Sequence, residues 1–365
     1  MTEQNERTVR WGILGAGRIA HRFAASLAHE ERSHLVALSC RSEEKAATFA
    51  AAHDVPAEDA LSDEALGGRA NAAHEALLAR NDIDVIYLAL PHGLHRRWAT
   101  AALRAGKAVL CEKPATLNAA EMREVSRVAR ETGHLFMEAM KTRFTPLYRH
   151  LRELVLAGAI GEVVRVETAL ENDMGGRISS RTDYMSDPRQ GGVLLDTGIY
   201  CAGWLEDYLP GAPTVTNAAA RYDTGVDSFV DAELVFGAGG NSEDDAGRTE
   251  SVAGPDRTAR PLLRTARLIA AGDTAELPRQ ARIVGTAGKI IADDLHRPQH
   301  ARLILANGEE RDFTIPYEVD DFFGQIRHMT DLVLAGAKES PIMPLAASIR
   351  CAEILDAIRA ALSAA

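Results

Sequence analysis

A short apolar strand that leads into a glycine-rich turn and a helix is the feature that most restricts the fold of this chain. Val9–Leu14 reads as the strand, and Gly15-Ala16-Gly17-Arg18-Ile19-Ala20 as the turn. Gly15 permits a tight turn, Gly17 lets a pyrophosphate approach the backbone, and Ala20 lets the helix pack closely on the strand. The N–H groups at the helix start then face an anion. The residues predicted to bind dinucleotide phosphates are Gly15, Ala16, Gly17, Arg18 and Ile19.

The end of the second predicted strand indicates which dinucleotide the chain takes. His34–Ser39 reads as this strand, and Cys40, Arg41 and Ser42 follow it where an acid would bind the 2′-hydroxyl of NAD. Arg41 can instead accept the 2′-phosphate of NADP, and the hydroxyls of Ser39 and Ser42 can add hydrogen bonds. These residues favour NADP over NAD. The alternative is that Arg41 stacks on the adenine or faces solvent.

A third strand is expected at Ile83–Leu90, because a continuous apolar run is typical of a parallel strand that is covered on both faces. In an open α/β sheet the carboxyl ends of the strands face the ligand crevice. We therefore expect Leu90, Pro91 and His95 at the cofactor. His92 or His95 can alternatively be catalytic, but packing on the cofactor or starting a helix is the favoured role.

The next apolar run, Val109–Cys111, stops at Glu112-Lys113-Pro114. Proline cannot donate to a sheet ladder, so a strand ends here and leaves Glu112 and Lys113 at its carboxyl end. A fixed ammonium at that place is either a catalytic group or a phosphate clamp. Because the turn at residues 15–20 already supplies backbone groups for phosphates, the catalytic role is favoured for Lys113.

Alternation of these strands with helical segments predicts an α/β Rossmann domain over residues 1–139, with a doubly wound, mostly parallel sheet. Ala46–Ala79 is expected to be largely helical, and Ala65–Ala79 looks like a surface insertion. A further helix and strand are expected at Ala119–Gly133 and Leu135–Ala139.

The pattern changes after Met140 and predicts an α+β domain over residues 140–365. Glu162–Glu171 alternates apolar and polar residues, as a half-exposed strand does. Several more such runs indicate a large, mostly antiparallel sheet. Gly237–Pro261 is polar and is expected to be a mobile loop. Closing helices, which can pack back on the first domain, are expected at Asp320–Ala335 and Leu345–Leu362; the remaining predicted strands are Val215–Tyr222, Asp227–Phe236, Thr265–Ala271, Gln280–Gly285, Gly288–Ala292 and Ala301–Leu305.

Composition narrows the class of protein and its compartment. The 365 residues carry a net charge of −11, which argues against a general partner role for nucleic acid or an anionic membrane. The N-terminus has no apolar signal-peptide core, and four scattered cysteines give no CxxC or Cys/His cluster. We therefore expect a cytoplasmic protein without a metal site.

A second glycine-rich stretch, Gly191-Gly192-Val193-Leu194-Leu195-Asp196-Thr197-Gly198-Ile199-Tyr200, carries an acid and a phenol. If a helix starts near Gly192, Asp196 and Tyr200 are four residues apart and share one face. Two glycines would let that helix press closely on a cofactor. The alternative is an ordinary buried Asp–Tyr contact.

Taken in order, the turn at 15–20, Glu112-Lys113-Pro114 and the stretch from Gly191 to Tyr200 resemble the glucose-fructose oxidoreductase / inositol dehydrogenase / MocA family over nearly the whole chain, including Glu339–Leu345. Many members carry histidine where this chain has Tyr200. The tyrosine resembles the branch that contains dimeric dihydrodiol dehydrogenases and D-xylose dehydrogenases.

The resemblance implies a Rossmann domain followed by an open-faced sheet that commonly forms a homodimer or homotetramer interface. It implies hydride transfer between a nicotinamide cofactor and a hydroxyl or carbonyl carbon of a sugar, cyclitol or vicinal diol. It also suggests a cis Lys113–Pro114 bond. The chain departs from relatives at Val193, where a third glycine is common, at Lys141, where an aromatic or apolar residue is common, and in the 65–79 and 237–261 insertions.

Within that reaction the proposed catalytic residues are Lys113, Tyr200 and Asp196. Tyr200 takes the hydroxyl proton in oxidation and returns it in reduction. A free phenol titrates near ~10, and a neighbouring ammonium such as Lys113 favours the phenolate. Asp196 orients a substrate hydroxyl or Lys113, and Glu112 binds the nicotinamide ribose. Arg143 contacts a second hydroxyl or a carboxylate of the substrate, or forms a salt bridge within the second domain.

Other activities remain open from the sequence. One is an NAD-dependent sugar or cyclitol dehydrogenase, and another is an epimerase or glycosidase that keeps a tightly bound cofactor. A different class is a non-catalytic NAD(P)-sensing binding protein, which the joint presence of Lys113 and Tyr200 disfavours.

Overall fold

The structure, a computed structural model, describes residues 7–237, 262–272 and 277–364. By its backbone contacts the chain divides into two units. The first unit consists of residues 1–145 and 317–345, and the second of residues 146–316 and 346–365.

The first unit is built on a six-stranded parallel sheet with helices between the strands. Its strand order is β3-β2-β1-β4-β5-β6, which is a doubly wound arrangement and confirms the predicted Rossmann class. The strands are β1 (Val9–Leu14), β2 (Ser33–Cys40), β3 (Ala60–Ser62), β4 (Val85–Leu88), β5 (Ala108–Cys111) and β6 (Phe136–Glu138). The helices are α1 (Arg18–Leu27), α2 (Glu43–Ala52), α3 (Ala72–Leu78), α4 (His95–Arg104), α5 (Ala119–Thr132) and α10 (Phe323–Leu334).

Apolar side chains hold this sheet between its helices. The ring of Phe23 on α1 stacks on Tyr87 of β4 at 3.6 Å and packs against Trp11 of β1 at 5.3 Å. All three side chains are fully buried. Because the central strands are covered on both faces, they read as unbroken apolar runs, which is why the sequence located them.

The predicted helical stretch Ala46–Ala79 is wrong in part. It contains the short strand β3, which pairs with β2, followed by α3. The supposed surface insertion Ala65–Ala79 includes this helix, whose Ala73 and Leu77 are fully buried. A three-residue strand is too short to show a periodicity of two, so the alanine-rich context dominated the prediction.

The second unit is built on an eight-stranded, mostly antiparallel sheet of order β14-β13-β12-β11-β7-β10-β9-β8, in which only the described pair β10–β7 is parallel. This confirms the predicted class. Its strands are β7 (Val163–Glu171), β8 (Pro213–Asp223), β9 (Val226–Phe236), β10 (Arg264–Ala271), β11 (Ala281–Gly285), β12 (Gly288–Ala292), β13 (His300–Leu305) and β14 (Glu310–Thr314). Its helices are α6 (Pro146–Leu156), α7 (Gly175–Ile178), α8 (Val193–Asp196), α9 (Gly198–Tyr208) and α11 (Leu345–Ala364, whose first residue belongs to the first unit).

Strand β14 was not predicted, because Glu310–Thr314 is mostly polar and lies at the edge of the sheet. The predicted loop Gly237–Pro261 lies outside the described residues apart from Gly237. Among the helices of the described residues, none combines the length and the hydropathy that a bilayer crossing requires.

The single helix expected from Gly192 through Tyr200 is instead two helices, α8 and α9, separated at Thr197. Thr197 is fully buried and its hydroxyl accepts a hydrogen bond from the Asn172 side chain at 3.3 Å. A β-branched residue followed by Gly198 has low helix propensity, which explains the break. Asp196 therefore ends one helix and Tyr200 lies in the first turn of the next.

The start of α8 depends on Gly192. Its φ is +90°, and a Cβ at this position would overlap the carboxylate of Asp227 on β9. That carboxylate accepts a hydrogen bond from the N–H of Leu194 at 2.5 Å, so it caps α8 from the neighbouring strand. Glycine here thus allows the acid to approach the helix start.

We expect Gly192→Ala to lower the free energy of unfolding by about 2 kcal/mol or more, from left-handed backbone strain and the displaced Asp227 cap. Denaturant unfolding of the full chain measures the change. Gly176→Ala is the matched control, because Gly176 lies in α7 and no atom lies within 4 Å of the place that its Cβ would take. Equal stability of the two variants would contradict the role given to Gly192.

Candidate functional site

The turn between β1 and α1 leaves a helix start uncapped. Gly15 has φ +103°, and a Cβ there would overlap the carbonyl oxygen of Ala89, so the turn requires glycine. Gly17 is the N-cap residue of α1 and supplies no side-chain hydrogen bond, and no atom lies within 4 Å of where its Cβ would be. The exposed start of α1 at Arg18 therefore offers backbone N–H groups to an anion. Backbone N–H groups at a helix start are the donors that a pyrophosphate can accept from.

The residues after β2 differ in how exposed they are. Arg41 is exposed, and within the described part of the chain its guanidinium has neither a hydrogen bond nor an ion pair. The hydroxyl of Ser42 caps α2 by accepting from the N–H of Lys45 at 3.5 Å. Glu64, an acid at this edge, accepts from the N–H of Glu43 at 2.8 Å. Arg41 is thus the side chain of this group that is placed for a ligand.

Ser39 lies differently. It is fully buried, and its hydroxyl is 2.7 Å from Nδ1 of His74 on α3. Burial lowers the pKa of His74 to about 4, so that ring is neutral at neutral pH. The Ser39 side chain therefore joins the strand to the helix. Of the three residues predicted to bind a 2′-phosphate, Arg41 and Ser42 are the two whose side chains are not buried.

The loop after β4 and the turn after β5 meet at His95. This side chain is fully buried, with Nε2 2.8 Å from the carbonyl oxygen of Leu90 and Nδ1 2.8 Å from that of Pro114. Burial lowers the pKa of His95 to about 4. Leu90 and Pro91 remain partly exposed at this edge. His95 holds the loop that carries them, and it does so through backbone carbonyls.

Glu112 and Lys113 follow β5 at the same edge, and the Lys113–Pro114 bond is cis, as the resemblance suggests. Glu112 is buried, and the hydroxyl of Tyr87 donates to its Oε1 at 2.5 Å. Burial raises the pKa of Glu112, while this hydrogen bond and the charges of Lys113 and Lys141 oppose the rise. Lys113 itself is half-buried. A ribose partner at Glu112 would share the carboxylate with Tyr87.

Lys141 and Arg143 lie in the 3-10 turn Lys141–Phe144, and both are buried. Lys141 forms an ion pair with the buried Asp321, which also accepts from Arg22 at 2.6 Å. Phe322 lies beneath both cations, 5.4 Å from Lys141 Nζ and 4.7 Å from the Arg22 guanidinium. Lys141 stands out in the sequence as a departure from relatives, but its partner does not.

In the second unit the structure places Asp196 at the end of α8 and Tyr200 in α9. Tyr200 is 6% exposed, and its ring lies 5.3 Å from the ring of His296, measured between centroids. Asp196 is half-buried and raises the electrostatic cost of ionising Asp183 nearby. The predicted site residues thus fall into two groups, with Lys113 in the first unit and Tyr200 with Asp196 in the second.

Sequence reasoning missed several residues that shape these groups. Tyr87 was detectable, since a tyrosine inside a buried strand requires a partner for its hydroxyl. Asp321 gave no local signal, because its partners Lys141 and Arg22 lie far away along the chain. His296 has a local partner in Asp294, but the contact with the Tyr200 ring joins distant segments. Across the residues that the structure describes, no group of three or more His, Cys, Asp or Glu side chains is arranged to hold a metal ion.

Two family models cover most of the chain. Residues 9–140 match an oxidoreductase family with an NAD-binding Rossmann fold, and residues 148–291 match the GFO/IDH/MocA C-terminal domain. The resemblance found in the sequence is thereby confirmed.

Named relatives match over nearly their full length. The chain is 31% identical to trans-1,2-dihydrobenzene-1,2-diol dehydrogenase of Xenopus tropicalis, over 95% of this chain and 96% of that one. It is 31% identical to the same enzyme of Mus musculus, over 97% of each chain.

Solved structures share the fold. The aldose-aldose oxidoreductase of Caulobacter crescentus matches with a TM-score of 0.80 and 23% identity over 98% of each chain. A 3-ketoreductase from Actinomadura kijaniata, in complex with NADP and TDP-benzene, matches with a TM-score of 0.75 and 25% identity over 97% of this chain and 98% of that one. The chain belongs to the GFO/IDH/MocA family of NAD(P)-dependent oxidoreductases.

Proposed function

We propose that the protein is an NADP-dependent dehydrogenase that transfers hydride between the nicotinamide and a hydroxyl- or carbonyl-bearing carbon of a sugar or vicinal diol. The observation that carries the proposal is the carboxyl edge of the first sheet. The uncapped start of α1 follows β1, the exposed Arg41 follows β2, and Lys113 follows β5. Dihydrodiol dehydrogenases that match over nearly their full length support the substrate class.

The cofactor part rests on residues of the first unit. The backbone at Gly15, Ala16, Gly17, Arg18 and Ile19 binds the pyrophosphate, and Arg41 with Ser42 binds the 2′-phosphate. Leu90 and Pro91 pack on the cofactor, and Glu112 accepts from the nicotinamide ribose. When bound, the nicotinamide accepts or returns the hydride.

In the chemical part of the proposal, Tyr200 transfers the proton of the substrate hydroxyl. In oxidation the phenolate takes the substrate hydroxyl proton, and in reduction the phenol gives it back. Lys113 stabilises the phenolate through its charge, and Asp196 accepts a hydrogen bond from a second substrate hydroxyl. Arg143 binds a further oxygen of the substrate.

The proposal includes a homodimer or homotetramer in the cytoplasm, formed through the second sheet. Helices α8 and α9 pack on one face of the second sheet, while the opposite face carries the ion pairs Arg267–Asp231 and Arg282–Glu167. Such a face can pair with a second copy. The four cysteines are buried free thiols, which suits a reducing compartment.

Tyr200→Phe should lower kcat by about 10²-fold or more while NADP affinity is unchanged, because only proton transfer is lost. The assay follows reduced-cofactor absorbance with NADP or NAD and a panel of xylose, glucose, 1,5-anhydrofructose, inositols and dihydrodiols. Tyr222→Phe, at an exposed tyrosine of β8, is the matched control.

Near-normal turnover of Tyr200→Phe would refute the proton-transfer role. Absence of turnover across the whole panel by the parent protein would refute the dehydrogenase proposal and favour a binding protein. Cofactor retained through purification would favour the epimerase or glycosidase alternative.

Arg41→Ala should reduce kcat/KM with NADP about 10- to 100-fold and leave kcat/KM with NAD nearly unchanged, because a charge-assisted phosphate contact contributes about 1.5–3 kcal/mol. Lys45→Ala removes an equal charge from the exposed face of α2 and serves as the control. An NAD preference in the parent protein would contradict the cofactor assignment.

Gly17→Ala and Gly15→Ala separate binding from folding. Gly17→Ala should weaken NADP binding, measured by titration, because the methyl group occupies the space beside the N–H groups at the start of α1, while unfolding free energy changes by less than about 1 kcal/mol. Gly15→Ala should destabilise the fold itself by about 2 kcal/mol or more, because φ is +103° and Ala89 blocks the side chain. Unchanged NADP affinity in Gly17→Ala would place the pyrophosphate elsewhere.

A further inference from the structure

A histidine in the second unit lies against the tyrosine to which proton transfer is assigned. His296 belongs to the connection between β12 and β13 and is only 5% exposed. Its ring is 5.3 Å from that of Tyr200 between centroids, with the planes tilted by 57°. The imidazole of His296 is therefore a titratable group that lies directly beside the phenol of Tyr200.

The connection that carries His296 is fixed to the helix that carries Tyr200. Trp204 lies one turn after Tyr200 on α9, is fully buried, and donates from Nε1 to the carbonyl oxygen of Leu295 at 2.9 Å. The N–H of Leu295 donates to the carbonyl oxygen of Arg279 at 2.8 Å. The two rings are therefore held in one arrangement by the packing around α9.

An acid orients the imidazole. His296 Nδ1 is 2.8 Å from Oδ1 of Asp294. A carboxylate only accepts, so Nδ1 carries a proton and the second proton of the imidazolium resides on Nε2. Burial acts to raise the pKa of Asp294, but the hydrogen bond from His296 and the charges of His296, Arg279 and Arg297 lower it overall. Asp294 is thus an anion that favours the protonated ring.

We propose that His296, held by Asp294, is a positioning residue for Tyr200, which it orients by ring packing and whose phenolate its positive charge favours. This inference rests on the proposed function in that it takes Tyr200 as the group that exchanges the proton. Lys113 belongs to the first unit, whereas His296 shares the second unit with Tyr200 and carries its charge only while its ring is protonated. Ionisable groups beside His296 include Asp294, Arg279 and Tyr200. Arg279 also pairs with Glu171, and the charge of Arg297 acts on Asp294.

Charge and packing are separated by the choice of variants. His296→Phe keeps an aromatic ring against Tyr200 but loses the charge and the hydrogen bond to Asp294. His296→Gln keeps hydrogen-bonding capacity without the charge. Asp294→Asn keeps an acceptor and tolerates the left-handed backbone of this residue, whose φ is +48°, while it removes the anion.

A second Asp–His pair in the same sheet gives the matched control. His300 Nδ1 lies 2.8 Å from Oδ2 of Asp293, and the His300 side chain is 40% exposed. His300→Gln therefore removes the same kind of pair at a place where no tyrosine ring contact involves the histidine among the described residues.

The first experiment follows the ring protons of His296 by NMR against pH, with the signal identified among twelve histidines by its loss in His296→Gln. In Asp294→Asn the midpoint should move to lower pH by about one unit, because the anion that favours the imidazolium is gone. In Tyr200→Phe it should also move to lower pH, because the variant removes the polar phenol hydroxyl beside the imidazolium and leaves an apolar ring there. An unchanged midpoint in Tyr200→Phe would overturn the interaction between the two side chains.

This titration uses the full chain without cofactor or substrate, so its outcome is independent of the proposed reaction. The second experiment measures kcat, KM and their pH dependence on whichever substrate the panel identifies. His296→Gln and His296→Phe should both lose up to about 10²-fold in kcat with KM for NADP unchanged, and both should lose one limb of the pH profile. His300→Gln should behave as the parent.

Retained kcat and an unchanged pH profile in His296→Phe would show that His296 acts only by packing its ring against Tyr200. That result would overturn its electrostatic role. A loss of stability or cofactor affinity that parallels the loss of kcat would also overturn the proposal, because it would indicate a general structural defect. The expected NMR shifts in a protein that turns over no substrate would leave the inference standing and refute the proposed function alone.

Discussion

The ligand edge of the first unit depends on one buried imidazole. His95 contacts the carbonyl oxygens of Leu90 and Pro114, both at 2.8 Å, and so joins the loop after β4 to the turn that carries Lys113. Burial lowers the pKa of His95 to about 4, so at neutral pH the ring is uncharged and donates to only one of the two carbonyls at a time. His95 therefore adds no positive charge at this edge, and it fixes where the loop and the turn lie.

Buried charge in the same unit is matched internally. Lys141 is buried, and an unpaired ammonium at a buried position costs several kcal/mol. Asp321 supplies the opposite charge from the segment before α10, and Arg22 shares that carboxylate. Position 141 taken alone suggests a change of substrate, whereas the structure shows a buried ion pair between residues that lie far apart in sequence.

How far the sequence predicted the fold can be judged from particular elements. β1 has the predicted bounds, because Val9–Leu14 is an apolar run that ends at a glycine turn. β3 was missed because three residues show no periodicity, and the helix through Asp196 and Tyr200 was drawn unbroken because spacing alone does not reveal the hydrogen bond between Thr197 and Asn172. Glycines at 15 and 192 were recognised by their motifs, but their close neighbours Ala89 and Asp227 come from other strands. Local pattern thus predicts strands and turns, and contacts between distant segments decide what each polar side chain faces.

Two basic side chains, Lys113 and His296, are proposed to act on Tyr200, and they belong to different units. The imidazole of His296 carries charge only while it is protonated. The influence of Lys113 on Tyr200 requires two units to act together. The influence of His296 is built into the second unit, where Trp204 fixes the connection that carries it and Asp294 fixes its proton. In the proposed mechanism the phenolate of Tyr200 is favoured by Lys113 and, while its ring is protonated, by His296.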